Sequence, residues 1–188
     1  MRVAGDKKRW DFLTTQIKEN DYSIGAEIGV QAGKTFKRIV ESCPRVTLYG
    51  IDVWVADKQV RLDNQPLEGK EYHKNYDKLN KWINDKKLDG RAIMIRSYSD
   101  QCLDQFEDES IDFIFIDADH TYEGVRRDTL NWSKKVRAGG LVAGHDSGYD
   151  EIAKWLNEIR DNESLQDEVG MDRKILLAND NVWWYRKR

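Results

Sequence analysis

The chain has 188 residues, 39% of them hydrophobic and 35% charged, with a formal net charge of -3. That length suits one domain able to bury a core without disulfide or metal staples, and seven Trp, eight Tyr and five Phe exclude a disordered polyelectrolyte. The slight negative charge argues against a mainly electrostatic grip on nucleic acid, and no run approaches the ~20 apolar residues of a membrane span. The charged start, Met1-Arg-Val-Ala-Gly-Asp-Lys-Lys-Arg, has no apolar stretch behind it and is no signal peptide. A cytoplasmic protein without a membrane partner is the expectation, and Cys43 and Cys102 read as two reduced, buried thiols.

Trp10, Leu13 and Ile17 mark a short amphipathic helix before the first strand, residues 23–28. A helix over 34–43, stopped by Pro44, leads to a second strand at 47–53. A polar stretch, 56–69, precedes Tyr72, Tyr76, Leu79 and Ile83, the apolar face of a helix of about four turns. The connection is longer than two strands need, so 54–87 is expected to be a lid or substrate insertion in a single domain spanning 1–188.

Residues 92–96 predict a third strand and 101–106 a short helix. Residues 111–117 form a nearly continuous apolar run, as in a central strand buried on both faces. A helix over 122–136 is expected to end at Gly139-Gly140, a C-cap signal, before a strand at 141–144. Ile152, Trp155, Leu156 and Ile159 give one more helix face, and 174–178 with 182–186 predict a closing antiparallel pair. Alternating strands and helices indicate an α/β fold with a doubly wound, mostly parallel sheet and a C-terminal antiparallel hairpin.

Ligands bind such sheets beyond the carboxyl ends of the strands. Those ends read Glu27-Ile-Gly29-Val-Gln31-Ala-Gly33, Asp52, Asp117-Ala-Asp119-His120 and Gly144-His145-Asp146. The first loop lacks one residue between its glycines for a phosphate loop, and Gln31 stands where a dinucleotide fingerprint needs Gly. Asp117-Ala-Asp119 also mimics the D-x-D of nucleotide-sugar glycosyltransferases, which would leave Glu27 and Asp52 without a task. The loop suits a ligand with a cationic amino-acid part and an uncharged ribose: Glu27 meets the cation, Asp52 accepts from ribose hydroxyls, and the glycines allow close backbone approach.

Together with Thr121-Tyr122-Glu-Gly-Val and Gly139-Gly-Leu-Val-Ala, these strand ends resemble class I S-adenosylmethionine-dependent methyltransferases. Within that class they are similar to the metal-dependent small-molecule O-methyltransferases related to catechol and macrolide-sugar enzymes. The resemblance implies a seven-stranded Rossmann-like sheet with S-adenosylmethionine across the first three strand ends. Glu27, Gly29, Gln31 and Gly33 would serve the methionine part and Asp52 the ribose, while Val53 and the Ser97-Tyr98-Ser99 turn would flank the adenine. It also implies a divalent metal, Mg, Mn or another, at Asp117, His145 and Asp146, with Asp117 close to both cofactor and catalysis. Histidine suits Mn, Fe or Zn better than Mg.

His120 stands where related enzymes place a base, a role that an imidazole can fill. The acceptor implied is a hydroxyl of a small molecule, a sugar or polyol; alternatives are a nitrogen or macromolecular acceptor, or a non-catalytic cofactor-binding protein. Trp54 and Trp82 are candidates to wall the acceptor pocket, His73 is read as a surface residue, and Arg126, Arg127, Lys134, Lys135 and Arg137 as a solvated face. Homo-oligomerisation is left open.

Overall fold

The computed structural model describes the backbone of residues 8–54, 61–62, 65–66 and 69–188, and the side chains of 8–54 and 74–188. Strands β1 (Ile24–Ile28) and β2 (Thr47–Asp52) pair in parallel, and β3 (Arg61–Leu62) pairs antiparallel with β4 (Gln65–Pro66) in a separate two-stranded sheet. β5 (Ala92–Arg96) lies parallel to β2, β6 (Ile111–Ile116) parallel to β1, and β7 (Val136–Gly144) parallel to β6. β8 (Leu176–Leu177) and β9 (Trp183–Arg186) pair antiparallel, with β9 against β7. The seven-stranded order is therefore β5-β2-β1-β6-β7-β9-β8. Chain direction across the sheet reverses between β1 and β6, which opens a crevice beyond their carboxyl ends.

Period-two burial sets the layers. In β6 every residue is buried, with Phe113 and Phe115 in one core and Ile114 and Ile116 in the other. The Phe113 face is covered by Leu13 and Ile17 of α1 (Arg9–Glu19), Phe36 and Ile39 of α2 (Lys34–Ser42), and Leu79 and Ile83 of α3 (Gly69–Asp85). The opposite face is covered by Val125 and Trp132 of α4 (Tyr122–Trp132), Trp155 and Ile159 of α5 (Asp150–Asp161), and Leu165 of α6 (Glu163–Glu168). Leu79 and Ile83, which fall in the expected insertion, are thus core residues.

The chain departs from the sequence expectations in several places. α4 stops at Trp132, one 3-10 turn spans Ser133–Lys135, and β7 starts at Val136. The Gly139-Gly140 pair is not a helix cap but lies inside β7, where the pairing jumps from Ile111↔Val136 to Phe113↔Leu141. Gly139, at φ 76°, absorbs that bulge. The expected helix at 101–106 is two 3-10 turns, Ser99–Gln101 and Leu103–Gln105. In the closing hairpin only Leu176 and Leu177 pair, because Asp180 and Asn181 turn the chain with φ 60° and 55°. α6, with Leu165 alone buried, has too little periodicity to show in the sequence. The side chain of His73 lies outside the described residues, as do residues 55–60 of the expected insertion.

Candidate active site

The glycine loop after β1 is fixed by the strands on either side. Gly29 N–H donates to the Ile51 carbonyl at 2.9 Å, and Asp117 N–H to the Ile28 carbonyl at 2.7 Å. Gly29 has φ 89°, and a Cβ there would stand 2.2 Å from the Asp117 carbonyl oxygen, so only glycine lets the two loops meet. Asp52 accepts from the N–H groups of Val30 and Gln31 on Oδ2, at 3.0 and 2.8 Å, and from that of Trp54 on Oδ1, at 2.8 Å. Its first duty is therefore to the loop itself. Trp54 donates its indole N–H to the Gln31 carbonyl at 3.0 Å and is fully buried, so it is a core residue holding the loop and not a pocket wall. Trp82 packs at the edge of the same core beside Lys37, away from the cleft.

A cleft of ≈ 830 Å³ opens over these loops. Its lining includes Glu27, Gly29, Gln31, Asp52 and Val53, then Ser97, Tyr98 and Ser99, and Asp117, His120, His145 and Asp146. Gly33 stands off it, at the start of α2, where a side chain would run into Leu79. Glu27 is 2% exposed, and its Oε2 has no hydrogen-bond partner. Burial, reinforced by the nearby Asp117 charge, pushes its carboxyl well above the ordinary range. A cationic donor arriving in the cleft would supply what that carboxylate lacks, so the donor chemistry fits an aminoacyl ligand.

At the β6 and β7 ends two acids and two imidazoles converge. His120 Nε2 lies 3.1 Å from Asp146 Oδ2 and 4.0 Å from Asp117 Oδ1. His145 Nδ1 lies 2.9 Å from Asp146 Oδ1 and 3.6 Å from Asp117 Oδ1. Burial raises the Asp117 carboxyl even with Arg9 and His145 beside it, whereas at Asp146 burial is outweighed by the hydrogen bond from His145 together with the charges of His145, His120 and Arg9, and its carboxyl is lowered below the ordinary range. Asp117, His120 and Asp146 can each aim one ligand atom so that all lie within 4.8 Å of one another. Two carboxylates and an imidazole suit a borderline divalent ion.

Three cleft residues escaped the sequence reading. Arg9 reaches in from α1 with Nη2 3.5 Å from Asp117 Oδ2, and no motif marks it. Asp128 of α4 hydrogen-bonds Ser99, and its signal was present: an acid on the stripe that carries Val125 and Trp132. Arg127 also lines the cleft. The basic residues from Arg126 to Arg137 are therefore not simply a solvated face; Lys135 pairs with Asp108 at 2.8 Å and Arg137 with Asp112 at 2.7 Å.

The methyltransferase-domain family model matches residues 26–147, from β1 to the loop after β7. The chain belongs to this methyltransferase family. The methyltransferase superposes with TM-score 0.67 and 14% identity on cofactor-bound Rv0187 from MTB, covering 100% of this chain and 83% of that one. It superposes with TM-score 0.66 and 14% identity on a candidate caffeoyl-CoA O-methyltransferase from Staphylococcus aureus, covering 100% and 86%. A methyltransferase from Podospora anserina, PaMTH1, bound to SAH, gives TM-score 0.63 at 13% identity over 96% and 78%. These likenesses concern the fold, a class I methyltransferase sheet with its antiparallel β9. In sequence, protein y4gI of Sinorhizobium fredii (strain NBRC 101917 / NGR234) is 24% identical over 99 residues, 53% of this chain and 10% of that much longer protein. Among the described residues no helix is long and apolar enough to cross a membrane.

Proposed function

We propose that this methyltransferase moves a methyl group from S-adenosylmethionine to a hydroxyl of a small molecule, a sugar or polyol. The observation that carries the reading is a single cleft lined both by an unpartnered buried carboxylate, Glu27, and by an imidazole with an unpartnered nitrogen, His120. S-adenosylmethionine, when bound, supplies a methyl carbon already activated by its sulfonium. Glu27 takes the ammonium of the methionine part, the loop of Gly29 and Gln31 approaches it with backbone, and Asp52 takes a ribose hydroxyl. Val53, Ser97, Tyr98 and Ser99 flank the adenine.

His120 is the proton acceptor. Its Nε2 faces Asp146 Oδ2 at 3.1 Å, so the ring proton belongs on Nε2 and the lone pair on Nδ1, which has no hydrogen-bond partner. Asp146 thus orients the imidazole as the carboxylate of an acid–histidine pair does. Asp117, Asp146 and His145 would hold a divalent ion, whose contribution is to lower the pKa of the acceptor hydroxyl. A second reading gives His120 the ligand position of His145, because one nitrogen of His120 and one oxygen of each acid all lie within 4.8 Å of one another. The enzyme would be a single domain, and two buried thiols outside any disulfide fit the cytoplasm.

Calorimetry with S-adenosylmethionine, S-adenosylhomocysteine and NAD tests the donor, and release of S-adenosylhomocysteine across a panel of hydroxylated and aminated compounds tests the acceptor. Binding of the sulfonium and turnover on hydroxyls are expected. Binding of NAD with no affinity for the sulfonium or its product would end this reading, and turnover on amines alone would move the acceptor to nitrogen.

A further inference from the structure

Asp128 is 1% exposed and stands on the apolar stripe of α4, three residues after Val125 and four before Trp132. A carboxyl in such a place costs free energy unless its lone pairs are matched. Oδ1 is matched: it accepts the Ser99 hydroxyl at 2.6 Å, with Arg127 Nε 3.5 Å away. Oδ2 is buried and has no partner. The Arg127 guanidinium is shared with Asp100 Oδ2 at 3.9 Å. Asp128 is not sealed inside the core, since it lines the cleft alongside Ser97, Ser99 and Gln101. A donor from the cleft would complete it.

We infer that Asp128 reads the amino edge of the donor's base, with Oδ2 accepting a hydrogen bond from the exocyclic amine of adenine. This rests on S-adenosylmethionine being the methyl donor. An ionised carboxylate can only accept, so a base carrying a carbonyl in place of the amine sets oxygen against oxygen and leaves both unpaired. Sites that hydrogen-bond a ligand group discriminate strongly against analogues that cannot answer it. Ser99 is the positioning residue: its O–H occupies Oδ1 and leaves Oδ2 for the base. Burial pushes the carboxyl up to about 6, so near neutral pH the acceptor form predominates.

The test is calorimetry of the whole chain near neutral pH with S-adenosylhomocysteine and S-inosylhomocysteine, which differ in that one amine. The adenine compound should bind at least about thirtyfold more tightly. Asp128→Asn has the same shape but can turn either its oxygen or its NH2 to the cleft, so the preference should collapse to within about threefold. Ser99→Ala, at a half-buried position, should also lower the preference, and it carries the test if the Asn variant does not fold. Equal binding of both compounds by the wild type, or a full preference retained in the Asn variant, overturns the assignment to Asp128. Failure of the wild type to bind either compound overturns the methyl-donor reading, and the assignment with it.

Discussion

Arg9 Nη2 lies 3.5 Å from Asp117 Oδ2, so a guanidinium carried on the first helix faces the carboxylate at the end of the central strand. The same side chain donates from Nε to Thr35 Oγ1 at 2.9 Å and brings Nη1 to 3.1 Å from His145 Nε2, while its backbone N–H is held by Asp180 Oδ2 at 3.0 Å. A cation is therefore built into the acid cluster, and a divalent ion must share Asp117 with it or displace it. Arg9→Met should raise the affinity for Mn2+ about tenfold or more, since a charge-assisted contact no longer competes. Paramagnetic resonance of Mn2+ titrated into the two proteins measures this, and identical affinities would mean that the guanidinium does not oppose the metal.

His120→Ala should slow methyl transfer about a hundred- to ten-thousandfold, the range for loss of a general base. Binding of S-adenosylhomocysteine should stay within about threefold, because the imidazole is assigned no contact with the cofactor. Unchanged turnover would assign the proton to another group.

Glu27→Gln should weaken S-adenosylmethionine by about tenfold to a hundredfold, the worth of a hydrogen bond to a charged group. The same change should stabilise the unliganded protein. Burial raises the Glu27 carboxyl above its ordinary 4.5, so its contribution to stability is fully present below that pH and is lost as pH rises through the higher folded value. The melting temperature of the variant should accordingly move ahead of the wild type as pH climbs from acid to neutral. A gap that is constant with pH would show that the carboxyl is not strained by burial.

Asp112 behaves in the opposite sense. Its Oδ2 accepts from the N–H groups of Ser23 and Ile24 at 2.6 and 2.8 Å and its Oδ1 from Arg137 Nε at 2.7 Å. Burial opposes these bonds but is outweighed, and the carboxyl titrates below its ordinary 3.8. Its stabilisation is present above that value and fades as pH falls through the lower folded one. Asp112→Ala should cost about 2–3 kcal/mol near neutral pH, since the Ser23 and Ile24 amides and the Arg137 guanidinium lose a charged acceptor. Thermal melts should show the difference narrowing below pH 3.8.

The central strand and the four loop ends were legible because both rest on local signals. Phe113 to Ile116 announce burial on two faces, and the G-x-x-x-G loop with its flanking acids has few alternative uses. Contacts between distant segments were not legible. Asp52 looks like a ribose ligand in sequence, yet its lone pairs serve the neighbouring backbone. Trp54 looks like an exposed aromatic after a strand until the loop closes over it. Gly139 and Gly140 read as a helix end because Val136 continues the helical spacing, whereas pairing with β6 claims Val136 for a strand. Asp128 was open to discovery, since an acid between Val125 and Trp132 breaks an otherwise apolar stripe.

The bond from the Trp54 indole to the Gln31 carbonyl has a practical consequence. This ring is shielded from water, lies 5.1 Å from the ring of Tyr76, and is tethered to the backbone of the loop that meets the methyl donor. Any shift of that loop changes the hydrogen bond and surroundings of a natural fluorophore. The emission difference between the wild type and Trp54→Phe therefore gives the protein an internal optical gauge of donor binding that needs no attached label.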